Sequence, residues 1–555
     1  MEYIRLAETY EKLENESGKL KKVEILSELF SDTPVGVLEK IVILSTGKVF
    51  PSYSENKTGI ASKMMVKIIS KTSGLSEREI VGKLKDMGDL GLVAESCLKS
   101  KKQSSLFKKE LTVEAVFENM QKLPGLVGKG SQEKKIGLIS ELLSSAKPKE
   151  AKYIVRTALE TLRIGVAEGT VRDAIAKSFD VDSKTVENAW FVNPNYGEIA
   201  VIAKKNGKKG LENVEIEPGK PVVVMLGEKI PAIEDAVDKY ENLAAEWKFD
   251  GVRLQIHKQG DKVWLFTRRL EDVTNQFPEL VDYSKSLKAK SCIVEGECVA
   301  VGSKGKPLPF QKLSRRVQRK YDIDEMVKKI PVKMNLFDII YLNSKSLLGE
   351  SFSKRRDALE RIVDEIPGKF EVVEELKTKD LKKIKEFYKK SLKSGQEGLM
   401  IKNLDAKYQP GRRVGSWIKI KPVLEPLDLV ITGADWGKGK RSSWLSSVEL
   451  SCRDSESGRF LKCGKLGTGL SDKQFKELTE KLKGLITNEV GVHVSIKPEI
   501  VIEVGYEEIQ KSPKYESGFA LRFPRLLRFR YDKKPEDADT AERLGVIFKQ
   551  QFSAV

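Results

Sequence analysis

From residue 1 to about 215, apolar residues recur at intervals of three and four, as in VEILSELF, YIVRTALETL and TVRDAIAKSF, and β-branched alternation is scarce. That period puts the apolar side chains on one stripe of a helix, so an all-α domain is predicted for 1–215. The stretch GKKGLENVEIEPGKP, from Gly207 to Pro221, is rich in Gly, Lys and Pro and reads as a boundary. Beyond it the period shortens. WKFDGVRLQIHK, KVWLFTRR, CIVEGECVA, VKMNLFDIIYL, FEVVEEL and EGLMIKN are β-type runs, with helical segments such as KRRDALERIVDEI between them. An α+β domain built on antiparallel sheet is expected over 216–422. The two prolines of KPVLEPLDLV mark a second junction, after which LDLVITGADWG, SVELSCRD, VHVSIKPEIVIEVGYEEI and ALRFPRLLRFRYD read as strands of a small barrel over 423–555. No internal repeat is visible, and low complexity is limited to short lysine clusters.

Composition agrees with this division and removes some functions. At about 150 residues per domain, 555 residues predict roughly three or four domains, each able to bury its own core. The 40% hydrophobic and 32% charged fractions are those of a globular chain. A net charge of +18, from 99 Lys+Arg against 81 Asp+Glu, favours an anionic partner, nucleic acid above all; a lysine-rich solvated surface is the plain alternative. The two histidines, His257 and His493, lie far apart in no metal-ligand spacing, which argues against a histidine-rich zinc or iron enzyme. Five scattered cysteines without a CxxC suggest a reducing, intracellular setting. The charged, amphipathic start MEYIRLAETYEKLE and the lack of any run of 18 apolar residues argue against secretion and membrane spanning.

The segment Glu246-Trp247-Lys248-Phe249-Asp250-Gly251-Val252-Arg253 combines a lysine, an acid and an arginine around a glycine. If Lys248 ends a buried strand beside Arg253 and other cations, desolvation and like charge favour its free amine as a nucleophile. Taken alone, Asp-Gly is more often a turn, and a strand lysine can snorkel. Further pieces follow in a definite order: Arg268 in TRRLEDVT, Glu297 in IVEGECVA, Phe337 in LFDIIYL, Glu397 and Lys402 in EGLMIK, and Arg413, Lys419 and Lys421 in RRVGSWIKIKP. Each has an ordinary reading: Phe337 as a core aromatic, Glu397 as a solvated strand end, Lys419 and Lys421 as the exposed face of a half-buried strand alternating with Ile418 and Ile420.

As an ordered set they resemble the nucleotidyltransferase motifs of ATP-dependent DNA ligases and messenger RNA capping enzymes. The resemblance implies that Lys248 attacks the α-phosphate of ATP, forms a lysyl-AMP phosphoramide and releases pyrophosphate, with Asp250 beside it in the motif. It implies that Arg253, Arg268, Lys419 and Lys421 meet phosphate oxygens, that Arg413 is the matching ATP-site basic residue upstream of the last motif, and that Phe337 stacks on adenine. Glu246 then meets the adenine, and Glu297 and Glu397 serve Mg²⁺ or the ribose, with Mn²⁺ as the alternative metal. Such chemistry needs charge neutralisation and alignment more than acid–base groups, in keeping with two histidines.

The flanking parts separate the members of that superfamily. LPGLVGKGSQEKKIGLISELL and LRIGVAEGTVRDAI resemble the helical DNA-binding domain of archaeal and eukaryotic replicative ligases, with Lys129, Gly130 and Ser131 placed to approach DNA phosphates. RFPRLLRFRYDK, carrying Arg522, Arg525, Arg528, Arg530, Asp532 and Lys533, resembles the C-terminal ligase motif on an OB barrel, which orients pyrophosphate. Gln103, Leu106 and Phe107 in SKKQSSLFKKE resemble an abbreviated sliding-clamp peptide; a polar loop with two tucked apolar residues is the alternative. The expectation is an archaeal-type ligase that seals 5′-phosphate/3′-hydroxyl nicks in duplex DNA in replication, repair and recombination, as a monomer at the nucleoid. An RNA ligase or capping-type nucleotidyltransferase, and a non-catalytic DNA- or clamp-binding protein, are the rivals.

Overall fold

A computed structural model describes residues 1–99, 110–302, 305–308, 310–318, 322–422, 424–437, 441, 443–467 and 470–553. The chain forms two compact units, one made of Met1–Glu228, Asp250–Glu374 and Asn403–Trp417, the other of Lys229–Phe249, Glu375–Lys402 and Ile418–Val555.

Among the described residues the first unit opens with twelve α-helices, from Tyr3–Asn15 to Tyr196–Glu212. Their three-and-four periodicity buries Leu6, Tyr10, Phe30, Ile41, Tyr153, Ile154 and Ile175 in one core. Local signals set their ends. Ser76 and Glu79 form a capping box at the start of Glu77–Met87, and Gly88 closes that helix in the left-handed conformation. The buried Arg156 bonds Asp89 at 3.0 Å and Glu14 at 2.9 Å.

The same unit carries a six-stranded sheet with Val252–Gln259 between Lys262–Thr267 and Ser291–Ala300, followed by Val332–Leu342 and Lys345–Ser346. Residue alternation sends Leu254 and Ile256 into one core with Val294, Leu336 and Phe370. One pairing departs from the antiparallel expectation. Phe370–Val372 lies parallel to Val332–Leu342, because the helix Phe352–Ile362 provides the crossover that a parallel pair requires.

In the second unit Leu243–Lys248 lies between Gly398–Asn403 and Glu375–Lys377 in one sheet. Helices Ile233–Asp238 and Leu381–Lys393 cover it through Ala236, Ile384 and Phe387, packed on Ala245, Leu399, Ile401 and Ile418. The rest of the unit is the strand-rich C-terminal domain, an OB-type fold. Leu427–Trp436 is its central strand, paired antiparallel with Leu445–Arg453, His493–Ile496 and Val501–Gly505. Val501–Gly505 in turn pairs with Arg525–Phe529. Among the described residues no helix is long and apolar enough to cross a membrane. All five cysteines are buried and free.

Candidate active site

The candidate residues fall in both units, and each group is built within its own. In the second unit Lys248 ends the strand Leu243–Lys248. The sequence reading set Arg253 and other cations around it. The charge facing Lys248 Nζ is instead the carboxylate of Glu397, a direct ion pair. Strand pairing produces this, since the Glu397 N–H donates to the Lys248 carbonyl at 2.9 Å and brings the two side chains together. Gly398, next in the chain, has φ +139°, and a Cβ there would lie 2.1 Å from the Ile420 carbonyl, so only glycine lets these strands approach. Lys421 Nζ meets the same Glu397 oxygen at 2.9 Å and lies 3.9 Å from Glu507. Burial alone would push the Glu397 carboxyl up; Lys248 and Lys421 together outweigh it and bring it down to about 2. Lys419, half-buried, alternates with the buried Ile418 and Ile420 as its strand pattern predicts.

Glu246, two residues before the nucleophile candidate in the same strand, accepts from Lys402 Nζ at 2.6 Å, both side chains about 3% exposed or less. Breaking a buried pair strands the remaining charge, so Lys402→Met is expected to cost the surrounding fold about 3–5 kcal/mol in denaturant unfolding. Adding Glu246→Leu should recover much of that loss; a wild-type midpoint for Lys402→Met alone would contradict the pairing.

In the first unit Gly251 packs so closely that a Cβ would lie 2.2 Å from the Cys298 carbonyl. Asp250 and Gly251 are half-buried there. Arg253 faces Glu297 in register across the sheet, but its guanidinium bonds Glu295 Oε2 at 2.7 Å and the Met225 carbonyl at 2.7 Å. It sits 5.2 Å over the rings of both Phe337 and Trp417, which meet edge to face. Phe337 and Glu297 are half-buried, and Arg268 is exposed just beyond Lys262–Thr267. Arg413 begins the strand that runs to Ile420. Glu295, Tyr408 and Trp417 were not picked out in the sequence. Glu295 carried a signal nonetheless, an acid two residues from Glu297 in an otherwise apolar strand.

The C-terminal motif is already strongly paired. Arg522 bonds Glu508 at 3.0 Å and Arg528 bonds Glu503 at 2.6 Å. Arg530 joins Asp428 at 2.8 Å and Asp532 at 2.7 Å, while Lys533 reaches Asp428 at 2.7 Å. The Arg530 bond holds the Asp532 carboxyl well below the usual range. Asp428, absent from the sequence reading, is thus the centre of this cluster. Arg525 is exposed and, among the described residues, pairs with no carboxylate. In the helical part, Lys129 is exposed between Gly128 and Gly130, both at positive φ, just before the helix Ser131–Ser145. Gln103, Leu106 and Phe107 lie outside the described residues.

Three family models match the chain: DNA ligase N terminus over residues 2–176, ATP dependent DNA ligase domain over 224–421, and ATP dependent DNA ligase C terminal region over 441–533. The DNA ligase of Thermococcus onnurineus (strain NA1) is 44% identical over 558 residues, covering 100% of this chain and 99% of the relative. That of Nanoarchaeum equitans (strain Kin4-M) is 46% identical over 565 residues, covering 100% of both. Of solved structures, Pmar-Lig_Pre aligns with 95% of this chain and 99% of its own at TM-score 0.54 and 18% identity, a likeness of fold.

Proposed function

This chain belongs to the ATP-dependent DNA ligases, and from that membership we propose how its residues divide the work of sealing a nick. Lys248 Nζ attacks the α-phosphorus of ATP, so that an N–P bond forms as the bond to pyrophosphate breaks. The nick's 5′-phosphate oxygen then takes the AMP from Lys248. Finally the 3′-hydroxyl oxygen attacks that phosphate, a phosphodiester forms and AMP leaves. The observation that carries this reading is the Lys248–Glu397–Lys421 cluster at the end of its strand. An ammonium paired to a carboxylate is no nucleophile, so the Lys248–Glu397 pair has to open before attack. Lys421, on the same oxygen, keeps Glu397 partnered when it does.

Arg253, Arg268, Arg413 and Lys419 supply cations for phosphate oxygens, Phe337 a face for the adenine, and Asp250 and Glu246 acids flanking the nucleophile. Glu297 and Glu397 are hard oxygen donors suited to Mg²⁺ or Mn²⁺, which takes one or two protein carboxylates together with substrate phosphates. Such a cation, when bound, neutralises phosphate charge and polarises the phosphorus under attack. Lys129, Gly130 and Ser131 are assigned to the DNA backbone, and Gln103, Leu106 and Phe107 to a sliding clamp. Backbone contacts of this kind make affinity fall steeply with salt and carry no base specificity. The setting proposed is intracellular, with a single chain acting on each nick.

The test is a labelled-ATP assay. Label should enter the protein covalently and be discharged as AMP by a nicked duplex carrying a 5′-phosphate, but not by one carrying a 5′-hydroxyl. Discharge by both, or label entering from GTP alone, would overturn the assignment. The C-terminal motif allows a finer division. Arg525→Ala and Lys533→Ala are expected to slow self-adenylation more than the sealing of a pre-adenylated nick; equal loss in both assays would remove their role in orienting pyrophosphate.

A further inference from the structure

The segment Gly219–Met225, which the sequence reads as the edge of a linker, is bonded side by side to the strand that follows the nucleophile motif. Arg253, Gln255 and His257 are alternate residues of Val252–Gln259 and so share one face. Each engages the segment in turn. The Gly219 N–H donates to His257 Nδ1 at 3.1 Å. Gln255 takes the Val222 N–H at 2.8 Å and donates to the Val222 carbonyl at 2.9 Å. Arg253 donates to the Met225 carbonyl at 2.7 Å, and the Met225 N–H donates to Tyr408 Oη at 3.0 Å.

These contacts converge on one buried carboxylate. Glu295 accepts from Gln255 Nε2 at 2.9 Å through Oε1, and from Arg253 Nη2 at 2.7 Å and Tyr408 Oη at 3.0 Å through Oε2. His257, Gln255, Glu295 and Tyr408 are all nearly or fully buried. The proton positions follow from the geometry. His257 accepts at Nδ1, so its Nε2 carries the hydrogen and donates to Gln255 Oε1, 3.1 Å away. Burial pushes His257 down to about 3, which keeps it in that neutral form at physiological pH. All four hydrogen-bonding positions of the Gln255 amide are thereby filled. Val223 extends the segment's anchoring, donating its N–H to the Phe191 carbonyl at 2.8 Å and accepting from Gly411 at 3.1 Å.

We propose that Gly219–Met225 is a positioning strap for the adenylation step, holding Glu295 and through it the Arg253 guanidinium in one orientation, with Gln255 and Tyr408 as positioning residues. The proposal rests on the reading of Arg253 as a phosphate contact. A buried network hydrogen-bonded through Gln255, Glu295, Tyr408 and both terminal nitrogens of Arg253 favours one arrangement, and a small displacement of a phosphate-binding cation costs rate.

The test uses the full chain. Gln255→Met keeps the side-chain length and removes its hydrogen bonds, and Tyr408→Phe removes one oxygen. Thermal melting confirms folding; self-adenylation is followed over a range of ATP concentrations, and each change is repeated on an Arg253→Lys background. Expected is a loss of about tenfold or more in kcat for self-adenylation in proteins that still melt cooperatively, Gln255→Met at a lower temperature because it leaves buried polar groups unpaired, and no added loss when Arg253 is already lysine. If Arg253→Lys by itself leaves self-adenylation unchanged, the phosphate reading of Arg253 fails and the strap with it. If Arg253→Lys is slow but Tyr408→Phe and Gln255→Met run at the wild-type rate, or their losses add fully to it, the strap alone is overturned. Should Gln255→Met fail to fold, Tyr408→Phe decides on the same criteria.

Discussion

Lys248→Ala is expected to abolish covalent AMP incorporation and nick sealing together, by a factor on the order of 10⁴–10⁶, the scale on which loss of a nucleophile is felt. Alanine offers no electron pair to the α-phosphorus, and no neighbouring group replaces it. Lys421, the second amine on Glu397, is held by that carboxylate and lies 3.9 Å from Glu507. Because the proposed sequence has three steps, the variant also separates them. A nick supplied already adenylated bypasses the lysine's bond-forming role, so sealing of that substrate should survive in large part. Labelled AMP on the Lys248→Ala protein, measured by gel after acid quench, would falsify the assignment of the nucleophile.

The next largest effect is expected at Glu397. Glu397→Gln keeps the shape of the side chain and removes the charge that two lysines share. Lys248 and Lys421 then lose the carboxylate they share in a partly buried site, with Glu507 3.9 Å from Lys421, and the carboxylate assigned to the metal is gone. Single-turnover self-adenylation should fall by about 10²–10³, the range for removing one electrostatic stabiliser from a reaction centre. The loss should appear mainly in the rate at saturating ATP. A wild-type rate would take Glu397 out of the chemistry and leave it a structural partner of Lys421.

The two variants together bear on what faces the nucleophile candidate. Adjacent cations in the motif suggested an amine activated by like charge, yet strand pairing sets a carboxylate against it. A similar substitution of partners occurs at the C-terminal motif. Four arginines close together read as a phosphate-binding strand, but three of them already neutralise Glu508, Glu503, Asp428 and Asp532. Arg525 is the arginine of that group that pairs with no carboxylate among the described residues.

Local order settled a good deal by itself. Helical periodicity through residue 212 and the short β-type runs beyond it follow from side-chain spacing along one segment. So does the grouping of Lys248, Asp250, Gly251 and Arg253, which are near each other because they are near in the chain. The parallel pairing of Phe370–Val372 was not legible, since it depends on where a helical crossover returns the chain. Nor were the partners that define the site. Glu397 is 149 positions from Lys248, Tyr408 is 113 from Glu295, and Asp428 is 102 from Arg530. Which carboxylate meets which cation over such separations is decided by strand register and by the burial that forces polar groups to pair. Sequence therefore singled out the residues to which the chemistry is assigned by proposal. Only the tertiary structure decided what each one faces, including the segment Gly219–Met225 that it turns from a linker into a strap along Arg253, Gln255 and His257.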